Sequence, residues 1–130
     1  DQLVNQITAT GMPAENVMLM GFSQGACLAL EYAARHPRRY GGVFGFSGGL
    51  IGPPEITFEH SGDMAQTPVF LGCSDIDPHI PLARVHESAS LFAKLNAAVD
   101  RRIYPGLGHT IVADELDAVY DIITSVVNSV

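Results

Sequence analysis

Apolar residues along this chain fall into two alternating patterns: short unbroken runs, and longer stretches with an apolar residue at every third or fourth position. The first pattern predicts strands buried on both faces, and the second predicts helices packed by one side. Residues 1–10 read as a helix with Leu3, Val4 and Ile7 on one face, and Gly11 suits its C-terminal cap. Pro13 opens a connector, and the run 17–22 predicts a strand covered on both faces. Residues 24–36 predict a helix closed by Pro37, apolar almost all round and therefore largely buried. A short strand is expected at 43–46. No apolar periodicity spans 48–67, and a loop of that length is often a lid or binding loop. Residues 69–73 predict a third strand, followed by a turn rich in Asp and Pro at 74–81. Pro81 suits the first position of a helix running to about residue 96, with Leu82, Val85, Ala89, Phe92 and Leu95 at helical spacing. The fourth strand, 99–104, carries Asp100 and Arg102 and should be less buried. The last helix, 112–128, places Val112, Leu116, Val119, Ile123 and Val126 on its inner face.

Strand and helix alternate throughout, which implies an α/β fold: a parallel, doubly wound sheet with helices on both faces. The whole of 1–130 reads as one domain. The expected strand order is 17–22, 43–46, 69–73, 99–104, with 17–22 at an edge. An apolar, unpaired edge strand invites pairing with another polypeptide.

Composition narrows the function classes. The chain has 130 residues, enough for a core, and a net charge of −7. Its few Lys and Arg are scattered, so no basic patch exists to bind nucleic acid. Arg35, Arg38 and Arg39 gather at the end of the second helix, where positive charge suits the helix dipole. No stretch approaches the length of a membrane span, and no signal-peptide pattern opens the chain. Cys27 and Cys73 are not spaced as metal ligands and read as buried free thiols. Lack of a disulfide framework fits a reducing compartment, and the expected location is cytoplasmic. No metal or cofactor is expected.

The chemistry centres on Gly21-Phe22-Ser23-Gln24-Gly25, set between a predicted strand and a predicted helix. A strand turning sharply into a helix at Gly-x-Ser-x-Gly is a nucleophile elbow, which lifts the serine hydroxyl above the sheet. A Cβ at either glycine is expected to clash with neighbouring backbone. The helix N-terminus behind Ser23 faces any negative charge developing on a substrate carbonyl. Gly45-Phe46-Ser47-Gly48-Gly49 matches the same pattern, but the glycines and prolines after it cannot begin a helix, so Ser47 reads as a strand end. A serine hydroxyl needs a base, and the base needs an orienting acid. In parallel sheets reactive groups lie at the carboxyl ends of the strands. Ser23 follows the first strand, Asp75 and Asp77 the third, and His109 the fourth, so all share one sheet edge. Ser, then Asp, then His is the chain order of α/β-hydrolases. Either Asp75 or Asp77 suits the acid role, and either also suits bonding to its own turn. His79, beside the acid turn, is a candidate pocket residue, whereas His36, His60 and His86 have weaker claims.

These three blocks, Gly21 to Gly25, Asp75 to Pro81, and Gly108-His109, resemble the phospholipase/carboxylesterase family, which includes acyl-protein thioesterases and small bacterial carboxylesterases. The resemblance spans most of the chain and implies the α/β-hydrolase fold. It assigns the triad acid to the Asp directly before Pro, here Asp77, and an oxyanion N–H to Gln24. It implies a small acyl ester or thioester substrate, with His79, Ile80 and Leu107 as candidate substrate contacts. Phe58 and Met64 in the long loop either touch the acyl chain or pin the loop down. Where the family has His-Gly before the acid turn, this chain has Cys73-Ser74. The family's His-Gly oxyanion loop and the strands that precede the elbow strand find no match here. The resemblance thus implies the C-terminal half of a larger hydrolase, with a second chain or the absent N-terminal half expected against strand 17–22. Two readings follow: a serine esterase or thioesterase, or a non-catalytic α/β binding module or hydrolase relic. A dienelactone-hydrolase-like enzyme fits less well, since that family carries Cys where this chain has Ser23.

Overall fold

A computed structural model describes residues 2–52 and 60–128. The elements run α1 (Gln2–Ala9), β1 (Met18–Phe22), α2 (Gln24–Arg35), β2 (Gly42–Phe46), β3 (Pro68–Ser74), α3 (Leu82–Lys94), β4 (Ala98–Tyr104) and α4 (Ala113–Asn128), with one 3-10 turn at Ala14–Asn16. The four strands form one parallel sheet in the order β1-β2-β3-β4. Leu19 pairs with Val43 and Val43 with Val69, so same-face side chains align across the strands.

The pleat of β2 and β3 sorts the core into two layers. On one face Val43, Val69, Leu71 and Cys73 pack with Leu30, Ala33 and Ala34 of α2 and with Val85, Ala89 and Phe92 of α3. On the other, Phe44, Phe46 and Phe70 pack with Ala118 and Val119 of α4. Gly45 allows α2 to cross closely, because a Cβ there would press to 2.9 Å from the Leu30 side chain.

Exposure corrects several of the expected faces. The run in β1 is apolar but not covered: Met20 is 54% and Phe22 41% exposed, because β1 is an edge strand. Helix α2 is not buried all round, since its Leu28 is 60% exposed. Leu3 of α1 also faces out, while Val4 is buried. Pro81 precedes α3 as its N-cap rather than opening its first turn. β4 is half-buried, and its Arg102 pairs with Asp100 on the same strand and Asp114 of α4. Met64 is fully buried against the α3–β4 corner, its N–H donating to the Leu95 carbonyl at 2.7 Å, so it pins its loop. Phe58 lies outside the described residues.

Leu116 also departs from the expected inner face, being 55% exposed. The reason lies in how α4 begins. Glu115 Oε1 accepts the Val112 N–H at 3.0 Å, half of a capping box. That contact turns Glu115 inward, and Ala118, Val119, Ile122 and Ile123 follow it around the helix. The Glu115 carboxylate fills the space over Gly72, where any Cβ would overlap it. Its Oε2 is buried without a hydrogen-bond partner among the described residues.

Burial pushes the Glu115 carboxyl above its ordinary value, and the Val112 N–H opposes this only in part. The folded state therefore holds the proton more tightly than the unfolded chain. Glu115's contribution to stability is full below the ordinary glutamate value and is lost as pH rises through the raised folded value. Glu115→Gln cannot titrate. The Tm of the wild type relative to Glu115→Gln should fall as pH climbs from the acid side of the carboxyl range to neutrality. Thermal melts across that range check this, and a constant difference would show an ordinary, uncoupled carboxyl.

Candidate active site

The site is built at the carboxyl ends of β1, β3 and β4. β1 hands over to α2 at Ser23, whose backbone takes φ 57°, ψ −117°. That conformation is rare for a residue with a Cβ and marks stored strain. Hydrogen bonds hold it: the Ser23 N–H donates to the Phe46 carbonyl at 2.9 Å, and the Ser23 carbonyl accepts from Cys27 at 3.0 Å. The turn is tight because β1 and α2 touch backbone to backbone. A Cβ on Gly21 would overlap the Gly25 carbonyl group and lie 2.6 Å from the Ala26 nitrogen. At Gly25 the expected clash is absent, as nothing lies within 4 Å of an added Cβ. Gly25 is exposed, and no described residue covers it.

Beyond β4, the loop carrying His109 bends through Gly106 (φ +70°) and Gly108 (φ +71°), both in the left-handed region. The bend returns the imidazole over the sheet edge. His109 Nε2 lies 2.7 Å from Ser23 Oγ, and Nδ1 lies 2.6 Å from Asp77 Oδ2. Phe22 packs on one side of the imidazole, with ring centroids 4.9 Å apart, and the edge of His79 on another at 4.7 Å. The periodic pattern offered no sign that Phe22, inside the elbow, would serve as this platform.

The two acids of the turn separate cleanly. Asp77 divides its oxygens: Oδ1 accepts the N–H groups of His79 at 2.8 Å and Ile80 at 3.2 Å, while Oδ2 faces His109. Asp75 instead accepts the Gly106 N–H at 2.9 Å and ties the two loops together. Burial alone would raise the Asp77 carboxyl. The hydrogen bonds from His109 and the two backbone N–H groups outweigh it and hold the group below the ordinary carboxylate range. Cys73, whose Sγ lies 3.9 Å from Asp77 Oδ2, is buried, and burial pushes its thiol up to about 12. It is thus a protonated thiol at neutral pH, not a nucleophile.

Gln24 opens α2, where the first N–H groups of a helix have no intrahelical partner. Ser47 sits at the end of β2, fully buried, with its hydroxyl donating to the Thr110 carbonyl at 3.0 Å. His79 and Ile80 line a cavity of about 310 Å³ between α2, the loop after β2 and α3, which Cys27, Leu50 and Ile51 also line. Leu107 stands apart from this cavity: its side chain is exposed and its N–H is bound to Ser74. Among the described residues no cluster of three or more His, Cys, Asp or Glu is arranged to hold a metal, and no helix is long and apolar enough to cross a membrane.

Comparison with known proteins now places the fold. Residues 1–127 match the phospholipase/carboxylesterase family. The chain belongs to that family. It is 31% identical over 120 residues to acyl-protein thioesterase 1 of Saccharomyces cerevisiae, covering 90% of this chain and 52% of that protein. Against acyl-protein thioesterase 1 of Eremothecium gossypii the identity is 37% over 123 residues, covering 89% and 50%. The crystal structure of a phospholipase/carboxylesterase from Dyadobacter fermentans superposes with a TM-score of 0.89 at 47% identity, covering 95% of this chain and 59% of that one. The fold is thus that of the α/β-hydrolase carboxylesterases, and the chain spans about half the length of the curated relatives it matches.

The elbow geometry yields a paired prediction for this chain. Gly21→Ala forces a Cβ into backbone and should destabilise the fold by at least about 2 kcal/mol, the upper part of the overpacking range. Gly25→Ala should be neutral or slightly stabilising, because alanine suits a helix better than glycine. Urea unfolding of both variants checks the contrast, and equal losses would mean that Gly25 also meets packed atoms.

Proposed function

We propose that the protein acts as a serine esterase or thioesterase on small acyl substrates. The observation that carries this reading is the continuous relay Ser23 Oγ, His109, Asp77, with both contacts to the imidazole at hydrogen-bond distance. In the proposed mechanism the Asp77 carboxylate holds a proton on His109 Nδ1, which leaves Nε2 free to accept. Ser23 Oγ attacks the carbonyl carbon as its proton passes to Nε2. The tetrahedral oxyanion accepts the Gln24 N–H at the start of α2, where the helix dipole favours negative charge. His109 then returns the proton to the departing alkoxide or thiolate, leaving an acyl-Ser23 ester. Water, activated by His109, hydrolyses that ester and restores Ser23. The membership of the chain in a family with acyl-protein thioesterases and carboxylesterases supports the same chemistry.

The cavity lined by His79 and Ile80 adjoins the relay through His79 and through Cys27, one turn beyond Ser23, and is the proposed seat of part of the substrate. A further proposal concerns β1. Its outer edge is unpaired among the described residues, and its Met20 and Phe22 are exposed. An additional polypeptide segment, from the same protein or a second chain, would pair there and supply the second oxyanion donor. The greater length of the relatives supports this. The single domain then comprises 1–130 together with that segment.

Ser23→Ala in the complete protein should lower kcat by roughly a million-fold with folding unchanged. Asp77→Asn should cost about ten-thousand-fold, and Asp75→Asn far less, since Asp75 holds only the loop. Steady-state hydrolysis of a short-chain p-nitrophenyl ester measures all three. A Ser23→Ala enzyme keeping more than about a tenth of wild-type turnover would sink the nucleophile assignment, and the reverse acid ranking would move the acid role to Asp75.

Residues 1–130 alone should hydrolyse the same ester about a hundred- to a thousand-fold more slowly than the complete protein, the cost of losing one oxyanion donor. They should also self-associate through β1 in sedimentation experiments. Full turnover by monomeric 1–130 would remove the need for a second segment.

A further inference from the structure

The relay rests on a loop that should not hold still. His109 follows two left-handed glycines, and Gly106 and Leu107 are exposed. Catalytic geometry tolerates displacements of only about 0.5 Å. Two serine hydroxyls outside the relay grip this loop from opposite sides of His109. Ser74 Oγ, at the end of β3, accepts the Leu107 N–H and the Gly108 N–H, each at 3.0 Å, and the Ile76 N–H at 3.3 Å. Ser47 Oγ, at the end of β2, donates to the Thr110 carbonyl at 3.0 Å. Both serines are almost wholly buried.

Ser47 is also strained. Its φ is 54°, almost the value at Ser23, although no helix begins at the described residues just after it. Its N–H is held by the Gly72 carbonyl at 2.7 Å. A non-glycine residue persists in this region only where its surroundings over-determine it. Here the Gly72 and Thr110 contacts do so. The second Gly-x-Ser-x-Gly of the chain thus has a strained serine directed at the loop of the catalytic histidine rather than at solvent.

We propose that Ser47 and Ser74 are positioning residues that clasp the backbone on both sides of His109 and hold its imidazole in line between Ser23 and Asp77. The proposal rests on the catalytic reading of those three residues. Ser74 stands where the resemblance noted above leads one to expect glycine, which has no hydroxyl to offer.

The test uses the complete protein and five variants: Ser47→Ala, Ser74→Ala, the double alanine variant, Ser74→Thr and Ser23→Ala. Readouts are kcat and KM for a short-chain p-nitrophenyl ester, the rate at which a fluorophosphonate labels Ser23, and the downfield proton resonance of His109 Nδ1. Each single alanine variant should lower kcat and labelling about tenfold and the double variant about a hundredfold, the cost of a displacement near 1 Å. KM should hardly move, the Nδ1 resonance should broaden, and Ser74→Thr should restore most of kcat. A folded double variant with wild-type kcat and an unchanged Nδ1 resonance would overturn the clasp. If the double variant does not fold, Ser47→Cys and Ser74→Cys, which keep volume but bond weakly, decide by the same readouts. An active Ser23→Ala variant would instead overturn the catalytic reading itself. An inactive Ser23→Ala beside fully active clasp variants would overturn the clasp alone.

Discussion

The backbone contact between β1 and α2 is the constraint from which the site follows. Because Gly21 has no side chain, the strand can run directly beneath the first turn of the helix, and Ser23 is forced into its left-handed conformation between them. Strain of this kind survives only when the flanking elements are themselves well anchored. α2 is anchored by Leu30, Ala33 and Ala34 against the sheet, and β1 by its pairing with β2 along five residues. Loosening either would let the serine relax into an ordinary turn and take its hydroxyl away from His109.

Parallel pairing does the rest of the assembly. With all four strands running one way, the loops after β1, β3 and β4 open on one rim, and residues far apart in the chain meet there. The strand ends are also laced to one another. The β3–β4 ladder continues into the Asp75 N–H, which donates to the Tyr104 carbonyl, and the Asp75 side chain accepts the Gly106 N–H. Asp77 serves two tasks at once, ordering its own turn with one oxygen and facing His109 with the other. The alternatives of turn residue and triad acid are therefore not exclusive at this position.

The two edges of the sheet have opposite characters. β4 is dressed with Arg102, Asp100 and Asp114, charges that discourage pairing with another strand. Met20 and Phe22 of β1, and Leu28 of α2, are instead exposed and apolar. An edge so unlike its counterpart is the surface on which a further segment is proposed to lie. Gln24 and Gly25, at the start of α2, are also exposed.

Hydrophobic spacing and turn chemistry were sufficient to read four strands, four helices and the parallel sheet, because a strand buried on both faces and a one-sided helix leave distinct periods; the expected alternation breaks between β2 and β3, where no helix lies among the described residues. The elbow and its context were legible for a local reason: a strand, a glycine-flanked serine and a helix lie in adjacent residues. What periodicity could not reach were quantities set by neighbours distant in the chain. Leu116 and Leu28 look like core residues, yet the Val112 contact of Glu115 rotates one outward and the edge position of β1 bares the other. Only the fold shows that Gly21 meets backbone while Gly25 does not. The residues alone left Asp75 and Asp77 equivalent, since both belong to one turn. It took the approach of a loop some thirty residues away to set Asp77 at 2.6 Å from His109 and Asp75 on Gly106, and to give Ser47 and Ser74 their grip on the same loop.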